Sequence, residues 1–119
     1  MKILVVDDSI TMRRIIVNHL NSSGYSDIVE AGNGVEALEK MSGVKLVLTD
    51  SNMPVMDGLS LVKEIRQSPV FREISIIMIT NEGAQEEVLS ALKEGVNDIV
   101  IKPFTRTILI DKVQSNLDE

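Results

Sequence analysis

Five short apolar runs, each followed by a stretch with helical spacing, constrain most tightly how this chain can fold. The runs are Ile3–Val6, Ile28–Val29, Leu46–Leu48, Ile74–Ile79 and Ile99–Ile101, rich in β-branched residues. They are nearly continuous rather than alternating, the pattern of strands in a parallel sheet that is covered on both faces. Between them, Met12, Ile16 and Leu20 recur at four-residue steps with Ile15 beside them, Val35, Leu38 and Met41 at three, and Leu109, Val113 and Leu117 at four. Those spacings predict amphipathic helices. Gly24, Gly43 and Gly95 follow helical stretches, where a left-handed residue ends a helix. Asn33 with Glu36 three residues on, and Thr105 after Pro103, stand where helix caps belong. Gln85, Glu86 and Glu87 place acidity in a first turn, where the helix dipole favours it. The sum is an α/β fold, (βα)5, which right-handed crossovers build into a doubly wound five-stranded parallel sheet.

Size and composition narrow the function. A chain of 119 residues suits one compact domain, so the expectation is a single domain over 1–119 with no attached output domain. A net charge of −6 with scattered basic residues argues against nucleic acid as a partner. No apolar run approaches the ~18 residues of a membrane span, no signal peptide opens the chain, and cysteine is lacking. The expectation is a cytoplasmic protein without membrane insertion.

Ligands of doubly wound sheets sit beyond the carboxyl ends of the strands. The first strand ends in Asp7-Asp8, the third in Asp50, the fourth in Thr80 and the fifth in Lys102-Pro103. Three carboxylates, a hydroxyl and an ammonium should therefore meet on one edge. Carboxylates at short range repel, and a hard divalent cation resolves the conflict. Mg²⁺ takes oxygen ligands and leaves positions for water or phosphate oxygens. Asp50 could then attack a phosphoryl group as nucleophile, with Lys102 and Thr80 holding its oxygens. Each residue alone has a plainer reading: Asp8 or Ser9 as a helix cap, Lys102 as a solvated lysine, Thr80 as structural. Their joint placement favours the chemistry. Asp57-Gly58 is explained by a turn or cap, and no chemistry is assigned to it.

The stretches ILVVDDS at Ile3–Ser9, TMRRII at Thr11–Ile16, LTDSNMPVMDG at Leu48–Gly58, IIMIT at Ile76–Thr80 and IKPF at Ile101–Phe104 resemble response-regulator receiver domains of the CheY-like chemotaxis type. The resemblance runs from end to end of the chain. It implies the flavodoxin-like strand order 2-1-3-4-5, for which CheY is itself a standard example. It implies a non-enzyme that assists its own aspartyl phosphorylation and dephosphorylation, with Asp50 as acceptor from a histidine kinase. It further implies Mg²⁺ held by Asp7, Asp8, Asp50 and the backbone carbonyl of Asn52, roles for Thr80 and Lys102 at the phosphoryl group, and a cis Lys102-Pro103 bond. Asn52 and Glu82 match positions that tune hydrolysis. The implied output is phosphorylation-dependent protein binding, through the face of the fourth helix, fifth strand and fifth helix. A flagellar motor switch is the implied target, with Arg13-Arg14 and Asn52 pointing toward that subfamily; a phosphate-shuttling regulator outside chemotaxis is the alternative. Two positions depart from the pattern. Ile99 stands where the family usually has Tyr or Phe as a switch residue, and Ser51 stands where a bulky aromatic is found in CheY.

Two other classes compete. Gly32-Asn33-Gly34-Val35-Glu36-Ala37 fits the G-x-G-x-x-A dinucleotide fingerprint, although after the second strand rather than the first. A Mg²⁺-dependent phosphatase with an aspartyl nucleophile would need a cap over its substrate, which the short connections do not supply. His19 is expected on the surface. Met12, Met41 and Met78 are expected in the core, Met53 and Met56 against the loop after Asp50, and Phe104 as a packing residue.

Overall fold

The computed structural model describes residues 1–81, 83 and 85–117. Strands and helices alternate throughout: β1 (Lys2–Val6), α1 (Ile10–Ser22), β2 (Ile28–Ala31), α2 (Gly34–Glu39), β3 (Val44–Asp50), α3 (Gly58–Gln67), β4 (Ser75–Asn81), α4 (Gln85–Glu94), β5 (Asp98–Lys102) and α5 (Arg106–Leu117). The strands form one sheet in the order β2-β1-β3-β4-β5, every pair parallel. The expected (βα)5 doubly wound sheet is therefore the observed one.

Side chains that alternate along the strands feed two cores, one on each face. Ile3, Val5, Leu46, Leu48, Ile77, Ile79 and Val100 pack with Ile16 and Leu20 of α1 and Leu109, Ile110 and Val113 of α5. Leu4, Val6, Val47, Ile76 and Met78 pack on the other face with Ala37 of α2, Leu61, Val62 and Ile65 of α3 and Ala91 of α4. This two-sided burial is why the strand sequences read as unbroken apolar runs. Each fully buried Ile or Leu contributes on the order of 1.5–3 kcal/mol relative to an exposed one.

The caps fall where the sequence puts them. The Ser9 hydroxyl accepts from the Met12 N–H at 3.1 Å, the Asn33 side chain from Glu36 at 2.9 Å, Asp57 from Ser60 at 2.8 Å and Thr105 from Ile108 at 3.2 Å. Gly95, directly after α4, has φ +105°, as its place at a helix end demands.

Two expectations are corrected. Val35 faces solvent, and the buried side of α2 runs through Gly34 and Ala37 to Met41 beyond its end. Leu38 and Met41 do pack on the core as their spacing predicts, and only Val35, at the start of the helix, is turned away from it. Ile15 is also exposed, since one residue turns it about 100° away from the Met12–Ile16–Leu20 stripe. His19, expected on the surface, is half-buried there, its ring edge-on to Phe104 at 6.3 Å between centroids. Met41 and Met78 are buried, and Met12, Met56 and Phe104 pack partly buried against the cores.

Candidate functional site

The strand order reverses between β1 and β3, so the crevice of the sheet opens at their carboxyl ends. Asp7 and Asp8 follow β1, and Asp50 is the last residue of β3. One carboxylate oxygen from each lies within 4.8 Å of the others. Asp7 is 2% exposed and Asp50 6%, whereas Asp8 faces solvent. Lys102, ending β5, reaches across with Nζ 3.1 Å from Asp50 Oδ1 and 3.5 Å from Asp7 Oδ2. The Lys102-Pro103 bond is cis. Four of the residues singled out in the sequence are thus brought together by three separate strands.

The backbone around the cluster is tied down. The Ser9 N–H donates to Asp7 Oδ1 at 2.9 Å, turning the chain from β1 into α1. Arg13, one turn into α1, donates to the Asp7 carbonyl at 2.6 Å and pairs with Glu30 of β2 at 3.1 Å. Arg13 therefore fixes the carbonyl beneath the two acids, a role that nothing in the sequence spacing indicates. On the other side, the β3–α3 loop folds back so that the Gly58 N–H donates to the Ser51 carbonyl at 3.0 Å. A Cβ at Gly58 would overlap the Asp50 carbonyl oxygen, so only glycine permits this approach. The loop also carries Met56 over Gly34, where a Cβ would come within 2.5 Å of the Met56 side chain.

That last contact bears on the dinucleotide reading. The Gly34 N–H donates to the Met56 carbonyl at 3.0 Å, and Asn33 caps the Glu36 N–H. The glycine-rich turn is spent on internal packing and offers no open cradle for a pyrophosphate.

Burial pushes the Asp7 carboxyl above its ordinary value; the Ser9 N–H opposes this, the charge of Asp50 reinforces it and Lys102 opposes it. One ammonium against three carboxylates leaves the cluster short of positive charge. Hard oxygen donors, two of them buried and one open to solvent, suit a small divalent cation that retains water.

The remaining candidates are placed differently. Thr80 lies in β4 at the same edge and is 1% exposed, but its hydroxyl is 3.0 Å from that of Ser51 rather than among the charged groups. Asn52 is exposed two residues past Asp50 and lines a cavity of about 160 Å³ with Ser51, Asp57, Leu59, Met78 and Glu87. Ile99 is half-buried against the core on the α3–α4 face. Glu82 lies outside the described residues.

Residues 3–114 match the model of the response regulator receiver domain. The chain is 55% identical over 117 residues to chemotaxis protein CheY1 of Helicobacter pylori, covering 96% of this chain and 94% of that protein. It is 51% identical over 120 residues to the CheY homolog of Campylobacter jejuni, covering 98% and 92%. Among solved structures, chemotaxis response regulator CheY4 of Vibrio cholerae superposes with a TM-score of 0.89 at 33% identity, covering 98% of both chains. A putative response regulator of Chloroflexus aurantiacus gives 0.94 at 29% identity, covering 99% of this chain and 98% of that one. With this sheet, this acidic crevice and this match over nearly the whole chain, the protein belongs to the family of response regulator receiver domains, closely related to the CheY chemotaxis regulators.

Proposed function

We propose that the protein is a two-component response regulator of chemotaxis in which Asp50 accepts a phosphoryl group from a histidine kinase. The observation that carries this reading is the buried carboxylate of Asp50, 3.1 Å from Lys102 and clustered with Asp7 and Asp8 at the sheet crevice. An Asp50 carboxylate oxygen forms the new O–P bond as the N–P bond of a phosphohistidine breaks, and the histidine nitrogen keeps the electron pair. Lys102 pairs with Asp50 beforehand and is within reach of a phosphoryl oxygen afterwards, holding it by charge. Thr80 supplies a hydroxyl once its side chain turns toward the acid. Asp7, Asp8, Asp50 and the Asn52 carbonyl are the groups that would hold Mg²⁺, which when bound offsets negative charge and aligns acceptor with donor. Burial keeps bulk water from Asp50, and the resemblance makes Asn52 and Glu82 the residues that would tune hydrolysis.

The output is protein contact made in the cytoplasm, with the flagellar motor switch as target and residues 1–119 acting as one receiver unit. Leu89 and Leu92 of α4, Ile101 of β5 and Ile108 of α5 are all exposed, an apolar display that supports the face named by the resemblance. No helix among the described residues is long and apolar enough to cross a membrane. Ile99 has neither ring nor hydroxyl, so coupling between site and face proceeds here without an aromatic rotation. That difference favours, as a second reading, a regulator that shuttles phosphoryl groups outside chemotaxis.

Intact-mass spectrometry after incubation with acetyl phosphate, and separately with a phosphorylated histidine kinase, tests the reading. A Mg²⁺-dependent, base-labile gain of one phosphoryl mass is expected in the wild type and not in Asp50→Asn. An adduct that persists in the mutant, or none with either donor, overturns it.

A further inference from the structure

Ser51 follows Asp50 directly, and its hydroxyl lies 3.0 Å from Oγ1 of Thr80. Thr80 is almost wholly buried, and among the described residues this is the one hydrogen bond its side chain makes. Strand register shows which way it faces. Asp50 is paired with Ile79, and Ile79 packs in the core that holds Val5 and Leu48. Alternation along β4 turns Thr80 to the opposite face, that of Met78 and Val47. Ser51, one residue past Asp50, is turned the same way. The Thr80 hydroxyl therefore rests on the far side of the strand ends from the carboxylates and Lys102, held by a hydroxyl that packing does not otherwise require, since Ser51 is small and only half-buried.

We propose that Ser51 is a positioning residue that latches Thr80 in its resting orientation, so that its hydroxyl sets how readily the site takes a phosphoryl group. The inference rests on Asp50 being the acceptor. Either hydroxyl can be the donor in the bond between Ser51 and Thr80, and in both cases it holds Oγ1 of Thr80 beside Ser51. To reach a phosphoryl oxygen on Asp50, Thr80 must swing away from Ser51, and the bond to Ser51 is lost in the swing. That bond stabilises the resting state alone, and a contact present in one of two states biases the equilibrium between them. Removing it increases the population in which Thr80 is free to turn, and apparent affinity rises in proportion to that population. The net value of one neutral hydrogen bond corresponds to a change of about five-fold.

The probe is beryllofluoride with Mg²⁺, a stable stand-in for the phosphoryl group, titrated into the wild type, Ser51→Ala and Ser51→Thr. Ser51→Ala is expected to bind about five-fold more tightly than the wild type, and Ser51→Thr, which keeps the hydroxyl, to restore the wild-type value. A second measurement needs no phosphoryl mimic. The χ1 angle of Thr80, read from its methyl couplings by NMR, should be a single rotamer in the wild type and in Ser51→Thr, and a mixture in Ser51→Ala. Equal or weaker binding by Ser51→Ala, or a wild-type Thr80 that already averages over rotamers, overturns the latch. Failure of the phosphoacceptor reading looks different: the wild type itself then binds no beryllofluoride, and the Thr80 rotamers alone decide the latch.

Discussion

Single residues around Asp50 are held in conformations that their neighbours impose. Val55 has φ +69°, with the Met56 N–H donating to the Pro54 carbonyl at 2.8 Å, so a β-branched residue sits at the strained centre of a γ-turn. It is 82% exposed and has no packing to offset the strain. Val55→Asn should raise stability by about 1 kcal/mol, because Asn tolerates this region far better. In a thermal melt that is a shift of roughly 3–6 °C upward, and an unchanged or lower Tm would refute it. Gly58 is the opposite case. Gly58→Ala would drive a Cβ into the Asp50 carbonyl, and a loss of about 1–3 kcal/mol is expected, together with slower phosphorylation from acetyl phosphate. Wild-type stability and rate in that variant would mean that the loop yields without moving Asp50. Neither effect can be read from the sequence, where Asp57-Gly58 is only a turn or cap signal. The close approach exists because the loop folds back on the strand that precedes it.

At the scale of elements, the caps and strand ends were legible because their signals are local. Asn33, Asp57 and Thr105 each bond a backbone N–H three residues on, within reach of sequence spacing. The joint between β5 and α5 was not. Asp98 accepts from Lys112 at 2.9 Å, from the Ile99 N–H at 2.9 Å and from Asn116 at 3.3 Å. Partial burial alone would raise its carboxyl, but these bonds prevail and hold it below the ordinary value. A carboxyl depressed by folding stabilises the folded state above its unfolded-state value, and that contribution is lost as the pH falls through the depressed one. Asp98→Ala should therefore cost about 1 kcal/mol at neutral pH, with the gap to wild type narrowing as acid is added below about pH 4. Urea melts across that range measure it, and a gap independent of pH would exclude the ionic origin. In α2 the spacing holds for Leu38 and Met41, which pack on the core, and fails only for Val35 at the start of the helix.

The whole molecule gathers like charges at one edge of its sheet, and its stability should respond to a cation that binds them. Mg²⁺ is expected to raise the Tm of the wild type through preferential binding to the folded state. Asp8 is exposed and its carboxylate lies beside those of Asp7 and Asp50, so Asp8→Ala should raise the metal-free Tm slightly by relieving their repulsion while shrinking the Mg²⁺-induced shift. An undiminished shift in that variant would place the cation elsewhere. The sequence by itself determined the alternation of strands and helices, the two-sided burial of the sheet and the carboxyl-end address of Asp7, Asp8, Asp50, Thr80 and Lys102. Those follow from periodicity and from the rule that parallel strands end on one edge, both of which are properties of the linear order. Only the tertiary structure decided that Lys102 reaches Asp50 and Asp7, that Arg13 fixes the Asp7 carbonyl, and that Thr80 faces Ser51 instead of the acids. These contacts join residues up to 95 positions apart, and their geometry depends on strand register, loop return and rotamer, quantities that the packing of the finished molecule sets.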